Sequence, residues 1–397
     1  MATIQNIPKL RFPGFKGEWE KIKLGKLAEK IGDGLHGTPI YSDDSDICFI
    51  NGNNLTNGKI EITDKTKKVD YAIFKKNDKS LNENTILISL NGTIGNIAKY
   101  NNEKVMLGKS VGYFNFKEST NFYFHVFHTD KIQNFFISEL TGSTIKNLSL
   151  KTLRGTIFPF PSPLEQQKIA SFLSAVDEKI QQLSRKKELV EQYKKGVMQQ
   201  LFSGKLRFKD ENGTDYADWE SVKMNELFSF KQGIQCGIED QFLEKSDNME
   251  RFIRIIDLTS DKEIPRFIKN TDKGNLIFED DLFMVRYGVP GLIGYGYNGV
   301  IANNLFRLIP KKSVHNKFYL YVLTHLKKDI MNLSSSTTMP ALNFSSLGVL
   351  KIPEIEIEEQ QKIATFLSSI DVKIESTKQE IHQMQSFKKG LLQQMFV

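Results

Sequence analysis

Two glycine turns carry the side chains best suited to chemistry: Asn91-Gly92-Thr93-Ile94-Gly95 and Tyr287-Gly288-Val289-Pro290-Gly291. Each closes a short apolar run, Thr85–Leu90 and Asp281–Arg286. Amides, hydroxyls, guanidinium groups and phenols held on tight turns can hydrogen-bond to base edges or stack on bases. Asn91, Gly92 and Thr93 form a first candidate set, with His36 and Thr38 of the turn-like Gly34-Leu35-His36-Gly37-Thr38-Pro39 and with Lys109 and Ser110. Arg286, Tyr287, Asn303 and Asn304 form a second. Arg286 is the sharpest of these, because a guanidinium can donate to guanine O6 and N7 together. Tyr295, Tyr297 and Asn298 also lie near glycines, and a turn that merely covers a core would use the same residues.

Catalytic constellations are missing from the sequence. Gly108-Lys109-Ser110 ends like a phosphate-binding loop, but the glycine needed five positions earlier is Glu103. There is no H-E-x-x-H, no zinc-spaced Cys/His cluster and no G-x-S-x-G elbow. His125 and His128 sit in an aromatic helical run and are expected to be structural. Neither a catalytic residue nor a metal ligand is assigned. Cys48 and Cys236 stand far apart and read as reduced thiols. No run approaches the roughly 18 apolar residues of a membrane span, and MATIQNIPKLRFPGF lacks a signal-peptide core, so a cytoplasmic protein is expected. The net charge of +7 invites a nucleic-acid partner. Residues 1–205 hold 30 Lys+Arg against 21 Asp+Glu, and residues 206–397 hold 24 against 26, so only the first half is basic.

What must position these turns is a duplication. EQQKIASFLSAVDEKI at 165–180 recurs as EQQKIATFLSSIDVKI at 359–374, with 12 of 16 positions identical at an offset of 194. The match runs on to KKGVMQQLF and KKGLLQQMF, and chance would supply far fewer identities. LRF at 10–12 recurs at 206–208, Trp19-Glu20 as Trp219-Glu220, and LSLKTL at 148–153 as LNFSSL at 342–347.

The repeated segments are predicted to be long helices. Ile169, Leu173, Val176, Ile180, Leu183, Val190, Val197 and Leu201 keep the 3–4 spacing of a coiled-coil seam, as do Ile363, Leu367, Ile370, Ile374, Met384, Leu391 and Met395. Ser162-Pro163-Leu164-Glu165 supplies an N-cap, a first-turn proline and a capping-box glutamate, and Gly204 suits the exit. Each helix has its duplicate as the obvious partner, and a two-fold pair within one chain runs antiparallel. Phe122–Ile137 and Lys317–Ile330 resemble short helices that follow strand runs. The expected fold class is α+β. Two pseudo-symmetric globular domains, 1–160 and 206–355, are each followed by a long helix, 161–205 and 356–397. The continuation missing after Val397 exists at Leu10-Arg11-Phe12, so the two ends of the chain are expected to meet. On these residues alone, a coiled-coil adaptor with two protein-binding globules stands beside the nucleic-acid reading.

The whole chain resembles the specificity subunit of Type I restriction–modification enzymes. PLEQQKIASFLSAVDEKI and EEQQKIATFLSSIDVKI, their KKG-x-x-QQ-x-F tails, the LRFPGFKGEW opening and its LRF…ADWE echo carry the resemblance. It implies two target-recognition domains, each reading half of an interrupted double-stranded DNA sequence. It further implies assembly in the bacterial cytoplasm with two modification subunits, which hold S-adenosylmethionine and methylate adenine, and with restriction subunits that translocate and cut. This chain would then bind no cofactor of its own and catalyse nothing, and the sequence has no N-P-P-[YF] motif.

Overall fold

The computed structural model describes residues 6–141, 146–260, 262–269, 272–334 and 340–397. The chain divides into two compact units, residues 1–185 with 378–397 and residues 186–377. The division runs through both long helices, Pro163–Phe202 and Ile357–Met395, instead of falling at 160 and 205. Each unit therefore owns half of each helix.

The first unit is built on a four-stranded antiparallel sheet ordered Ala28–Asp33, Val111–Phe116, Thr85–Ser89, Ile97–Lys99. Thr85–Ser89 is buried along its whole length, and its alternation explains why. Ile86 and Ile88 join a core with Phe122, Phe127, Ile169 and Leu173, whereas Leu87 joins another with Cys48, Ile50, Leu107 and Tyr113. One face meets the helices and the other meets a small parallel pair, Cys48–Ile50 with Val105–Leu107. The second unit repeats this plan. Its sheet is ordered Phe228–Gln232, Leu305–Pro310, Leu282–Val285, Ile293–Gly294, with Leu282 and Met284 toward the helices and Phe283 and Val285 toward the other side. There the parallel pair is Met249–Ile253 with Gly299–Ile301.

The helices expected at 122–137 and 317–330 are each broken in two, into Thr120–Phe127 and Asp130–Ser138, and into Asn316–His325 and Lys327–Asn332. In the first unit the break is chemical. The Thr129 hydroxyl accepts from Ile132 N and starts a new helix with Asp130 in its first turn.

The long-helix seams are buried in mixed cores. Ile169, Leu173 and Val176 pack with Leu391, Met395 and Phe396, but also with the globule's Phe122 and Phe127, and Ile180 packs beside them. In the second unit Ile363, Leu367 and Ile370 pack with Val197, Met198 and Leu201 and with Phe318 and Tyr321, and Ile374 packs beside them. Leu183 is buried as well. The stripe thus glues each helix to its duplicate and to its own globule at once. Moving forward from Asp177 to Lys194 on one helix moves backward from Lys388 to Asp371 on the other, so the helices run antiparallel.

Where each helix begins, an arginine from the repeated LRF segment grips it. Arg11 donates to both oxygens of Glu165 at 2.7 and 2.8 Å, and Arg207 to both of Glu359 at 2.9 and 3.0 Å. Both glutamates are buried, so a two-pronged charged partner is what their burial requires. The Glu165 carboxylate, expected as part of a capping box, is thus taken up by Arg11. The first unit also joins the ends of the chain. Leu10 N donates to Gln394 O at 2.9 Å, as Leu206 N donates to Gln200 O at 3.1 Å where the chain is continuous.

Candidate functional site

Three turns converge at one edge of the first unit's sheet. Leu35 N donates to Leu107 O at 2.7 Å, bringing the 34–39 turn against the 108–110 turn. The approach is so close that a Cβ on Gly34 would lie 2.2 Å from Leu107 O. Gly52 links the remaining pieces: its N–H donates to Ser110 Oγ at 2.9 Å, and its carbonyl accepts from Thr93 Oγ1 at 2.8 Å. Ser110 in turn donates to Asn51 Oδ1 at 2.9 Å, and Ser89 Oγ donates to Asn91 O at 3.0 Å.

These bonds sort the first candidate set. Ser110 is buried and its hydroxyl is fully engaged, so as placed it positions the turn and cannot reach a ligand. The Thr93 hydroxyl also holds the turns together, although the residue lies at the surface. Asn91 is half-buried and bridges Asn147, and Gly92 takes the positive φ of 70° that the turn demands. His36, Thr38 and Lys109 are exposed. The His36 ring is 72% exposed and its Nε2 lies 2.7 Å from Asp33 Oδ2, which fixes the ring's direction.

The second unit builds the same edge from different side chains. Ile234 N donates to Ile301 O at 3.0 Å, and a Cβ on Gly233 would lie 2.3 Å from that carbonyl. Arg286 does not project from this edge. Its Nε donates to Leu342 O at 3.2 Å, its Nη1 to Gln232 Oε1, and its guanidinium lies 4.3 Å from the centroid of Phe344 and 4.9 Å from that of Tyr287. The arginine is a brace joining three segments, and two of its five N–H groups are already spent. Tyr287 is half-buried beneath it and bridges Ala341. Asn303 is exposed, with its carbonyl accepting from Gln232 Nε2 at 2.5 Å. Asn304 is half-buried, and its Oδ1 is among the buried atoms without a partner in the described residues. Tyr295, Tyr297 and Asn298 lie off this edge, bonded to Asp280 Oδ1, Asp257 O and Glu279 Oε1.

Sequence reasoning missed Asn51, Asp33 and Gln232. They are the polar partners that hold the turns, and Asn51 stands in FINGNNLT at 49–56, which FIRIIDLT at 252–259 echoes as F-I-x4-L-T. Between the turns and the helices, His125 is fully buried, with Nε2 3.4 Å from Ser174 Oγ and Nδ1 3.9 Å from Asp177. Burial, with lesser help from Lys388, Lys99 and His128, pushes its pKa down to about 2. Burial likewise lowers that of His128. The equivalent position in the second unit is Tyr321, whose hydroxyl donates to Asp371 Oδ2 at 2.6 Å, and burial raises its pKa. Among the described residues no three His, Cys, Asp or Glu side chains are placed to hold a metal, and no helix is long and apolar enough to cross a membrane.

Comparison with known proteins gives this duplicated edge a context. The MjaVIII Type I restriction enzyme specificity subunit of Methanocaldococcus jannaschii is 26% identical over 79% of this chain and 78% of its own. The MjaIX specificity subunit of the same organism is 23% identical over 94% and 92%. The solved S subunit of a Type I restriction–modification system from M. genitalium shares the fold with a TM-score of 0.61 and 19% identity, over 98% of this chain and 99% of that one. A chain from a structure of Type I R-M complex assembly and conformational transition has a TM-score of 0.57 at 18% identity over the same shares. Residues 16–192 and 216–386 each match the Type I restriction modification DNA specificity domain, and the chain, carrying that domain twice, belongs to this family.

Proposed function

We propose that this Type I specificity subunit reads an interrupted DNA target, one half-site per unit, through the turns gathered at the edge of each sheet. The observation that carries this reading is the recurrence of one backbone frame with different side chains. Gly34 and Gly233 make the same close approach, while Lys109 stands where the second unit has Asn303 and Asn91 where it has Tyr287. A constant frame with changed surface groups suits two half-sites of different sequence. His36, Thr38, Asn91, Gly92 and Lys109 are the proposed contacts in the first unit, and Tyr287, Asn303 and Asn304 in the second. Thr93, Ser110 and Arg286 hold these in place.

On this reading adenine methylation belongs to two modification subunits carrying S-adenosylmethionine, and translocation and cleavage to restriction subunits, all in the bacterial cytoplasm. The duplicated helix pair offers each modification subunit an equivalent seat. A bandshift with a duplex bearing both half-sites, alone and with the modification subunits, tests it. Retardation that is lost when either half-site is scrambled is expected. Stable complexes with the partner proteins but no sequence preference would leave a protein-binding adaptor.

A further inference from the structure

Resting on that reading, the surface beside the 35–41 loop points to an additional contact with the target. Residues 63–80 fold back along this loop. Ser42 N donates to Lys68 O at 3.0 Å, Phe49 N to Lys67 O at 2.7 Å and Val69 N to Ile47 O at 2.9 Å. Val69 and the short helix Tyr71–Asn77, through Ile73 and Phe74, pack into one cluster with Phe49, Met106 and Leu35. Leu35 immediately precedes His36, so the segment and the reading loop share a base.

With the apolar side chains turned inward, Lys65, Lys67, Lys75 and Lys76 are exposed. Among the described residues none of the four forms an ion pair with a carboxylate, and Lys67 lies 5.9 Å from the centroid of Tyr41 on the loop itself. Asp64, Asp70 and Asp78 share the segment, but its six lysines outnumber them. The second unit repeats the arrangement. Phe242 and Phe267 exchange backbone bonds where Ser42 N donates to Lys68 O, so Arg266–Lys269 is the matching strand, and Lys262, Arg266, Lys269 and Lys273 stand there against Glu263 and Asp272. The loop before it is acidic in both units, with Asp43, Asp44 and Asp46 in the first and Glu239, Asp240, Glu244, Asp247 and Glu250 in the second.

We propose that Lys65, Lys67, Lys75 and Lys76 form a phosphate-binding flank that grips the DNA backbone beside the half-site read by the first unit. Flexible ammonium groups not paired with a carboxylate among the described residues suit phosphate oxygens, which position a duplex without reading it.

The test compares the full chain, assembled with its modification subunits, with a Lys65→Ala/Lys67→Ala/Lys75→Ala/Lys76→Ala variant and the matching four-arginine variant. Affinity for a duplex with both half-sites is measured from 50 to 200 mM salt. Each lost phosphate contact flattens the log–log salt slope by about 0.9, so four lysines give a change of about 3.6. That change shrinks the fourfold-salt penalty by roughly 150-fold. The arginine variant should keep the original slope, and the preference for cognate over scrambled duplex should persist in both. An unchanged slope in the alanine variant overturns the flank. So does a loss of sequence preference at constant slope, which would make these lysines base readers, or a loss of modification-subunit binding, which would make them a protein contact. Uncharged methylphosphonate linkages provide a second measurement on the unmodified protein. They should weaken binding tenfold or more when placed beside the first unit's half-site; undiminished binding contradicts the proposal even if the variants misfold. Were the unmodified complex indifferent to sequence, the half-site reading would fail, while the slope on any duplex would still decide the flank.

Discussion

Asp177 Oδ1 and Lys388 Nζ meet at 2.6 Å, and the same pair recurs in the second unit as Asp371 and Lys194 at 2.5 Å. The four residues are two residues repeated at the offset of 194, with the helices exchanged. Each unit thus carries the same ion pair, with the two helices in exchanged roles. Because the Asp177–Lys388 side chains are only about one-fifth exposed, screening is incomplete. Asp177→Asn should lower stability by on the order of 1 kcal/mol in a urea titration, and adding Lys388→Met should recover part of it. A double-mutant coupling of zero would show that the pair marks the symmetry without supporting it.

The hydrogen bond from Leu10 N to Gln394 O stands where the continuous chain has Leu206 N to Gln200 O. Joining residue 397 to residue 6 through a short linker and reopening the chain after Gly204 should therefore give a folded permutant. Gly204 is an exposed helix exit with φ of 73°. Circular dichroism and an unfolding midpoint within a few degrees of the parent are expected. An insoluble or molten product would count against chain closure.

His125 gives a pH prediction with a definite sign. Its folded pKa is lowered to about 2 from an ordinary value of 6.5. The folded protein therefore binds fewer protons than the unfolded chain between those values. Stability is full above about pH 6.5 and falls as the pH drops below it, by on the order of 1.4 kcal/mol per pH unit. His128 adds a loss of the same sign. His125→Tyr, the residue type at the equivalent position 321, should flatten the acid limb of a thermal-midpoint profile from pH 7.5 to 5. An unaltered limb would mean that other groups govern it.

Arg286 and Ser110 are expected to act through the turns they hold. Arg286→Ala removes two hydrogen bonds and two ring contacts, so a destabilisation of about 1–3 kcal/mol is expected. Arg286→Lys should restore little, because one ammonium cannot reproduce the planar fork. Ser110→Ala strands the Gly52 N–H and the Asn51 carbonyl oxygen at a similar cost. If Arg286→Ala left stability intact and abolished discrimination between cognate and scrambled DNA, Arg286 would be a base reader after all.

The helices and their pairing were legible because identical residues recur at one offset and the apolar spacing marks the buried stripe. The strands at 85–89 and 282–285 were legible for a similar reason, as buried runs ending at glycine turns. The turn edge was only partly legible. Its candidates do gather, but whether a side chain there reads or braces depends on partners distant in sequence. Arg286 looks free in its turn, and Gln232, Leu342 and Phe344 occupy it only once the sheet has formed. Ser110 is buried by Asn51 and Gly52, nearly 60 residues earlier. The parallel pairs are equally non-local, since no local pattern tells Cys48–Ile50 to lie beside Val105–Leu107.

If each unit reads its own half-site, exchanging one unit should exchange one half-site. Residues 20–155 are replaced by the corresponding segment of a specificity subunit with a different target, and methylated adenines are mapped across the host genome. One half-site should change to that of the donor while the other stays as it was. Simultaneous change of both half-sites, or no change in either, would contradict independent reading by the two units.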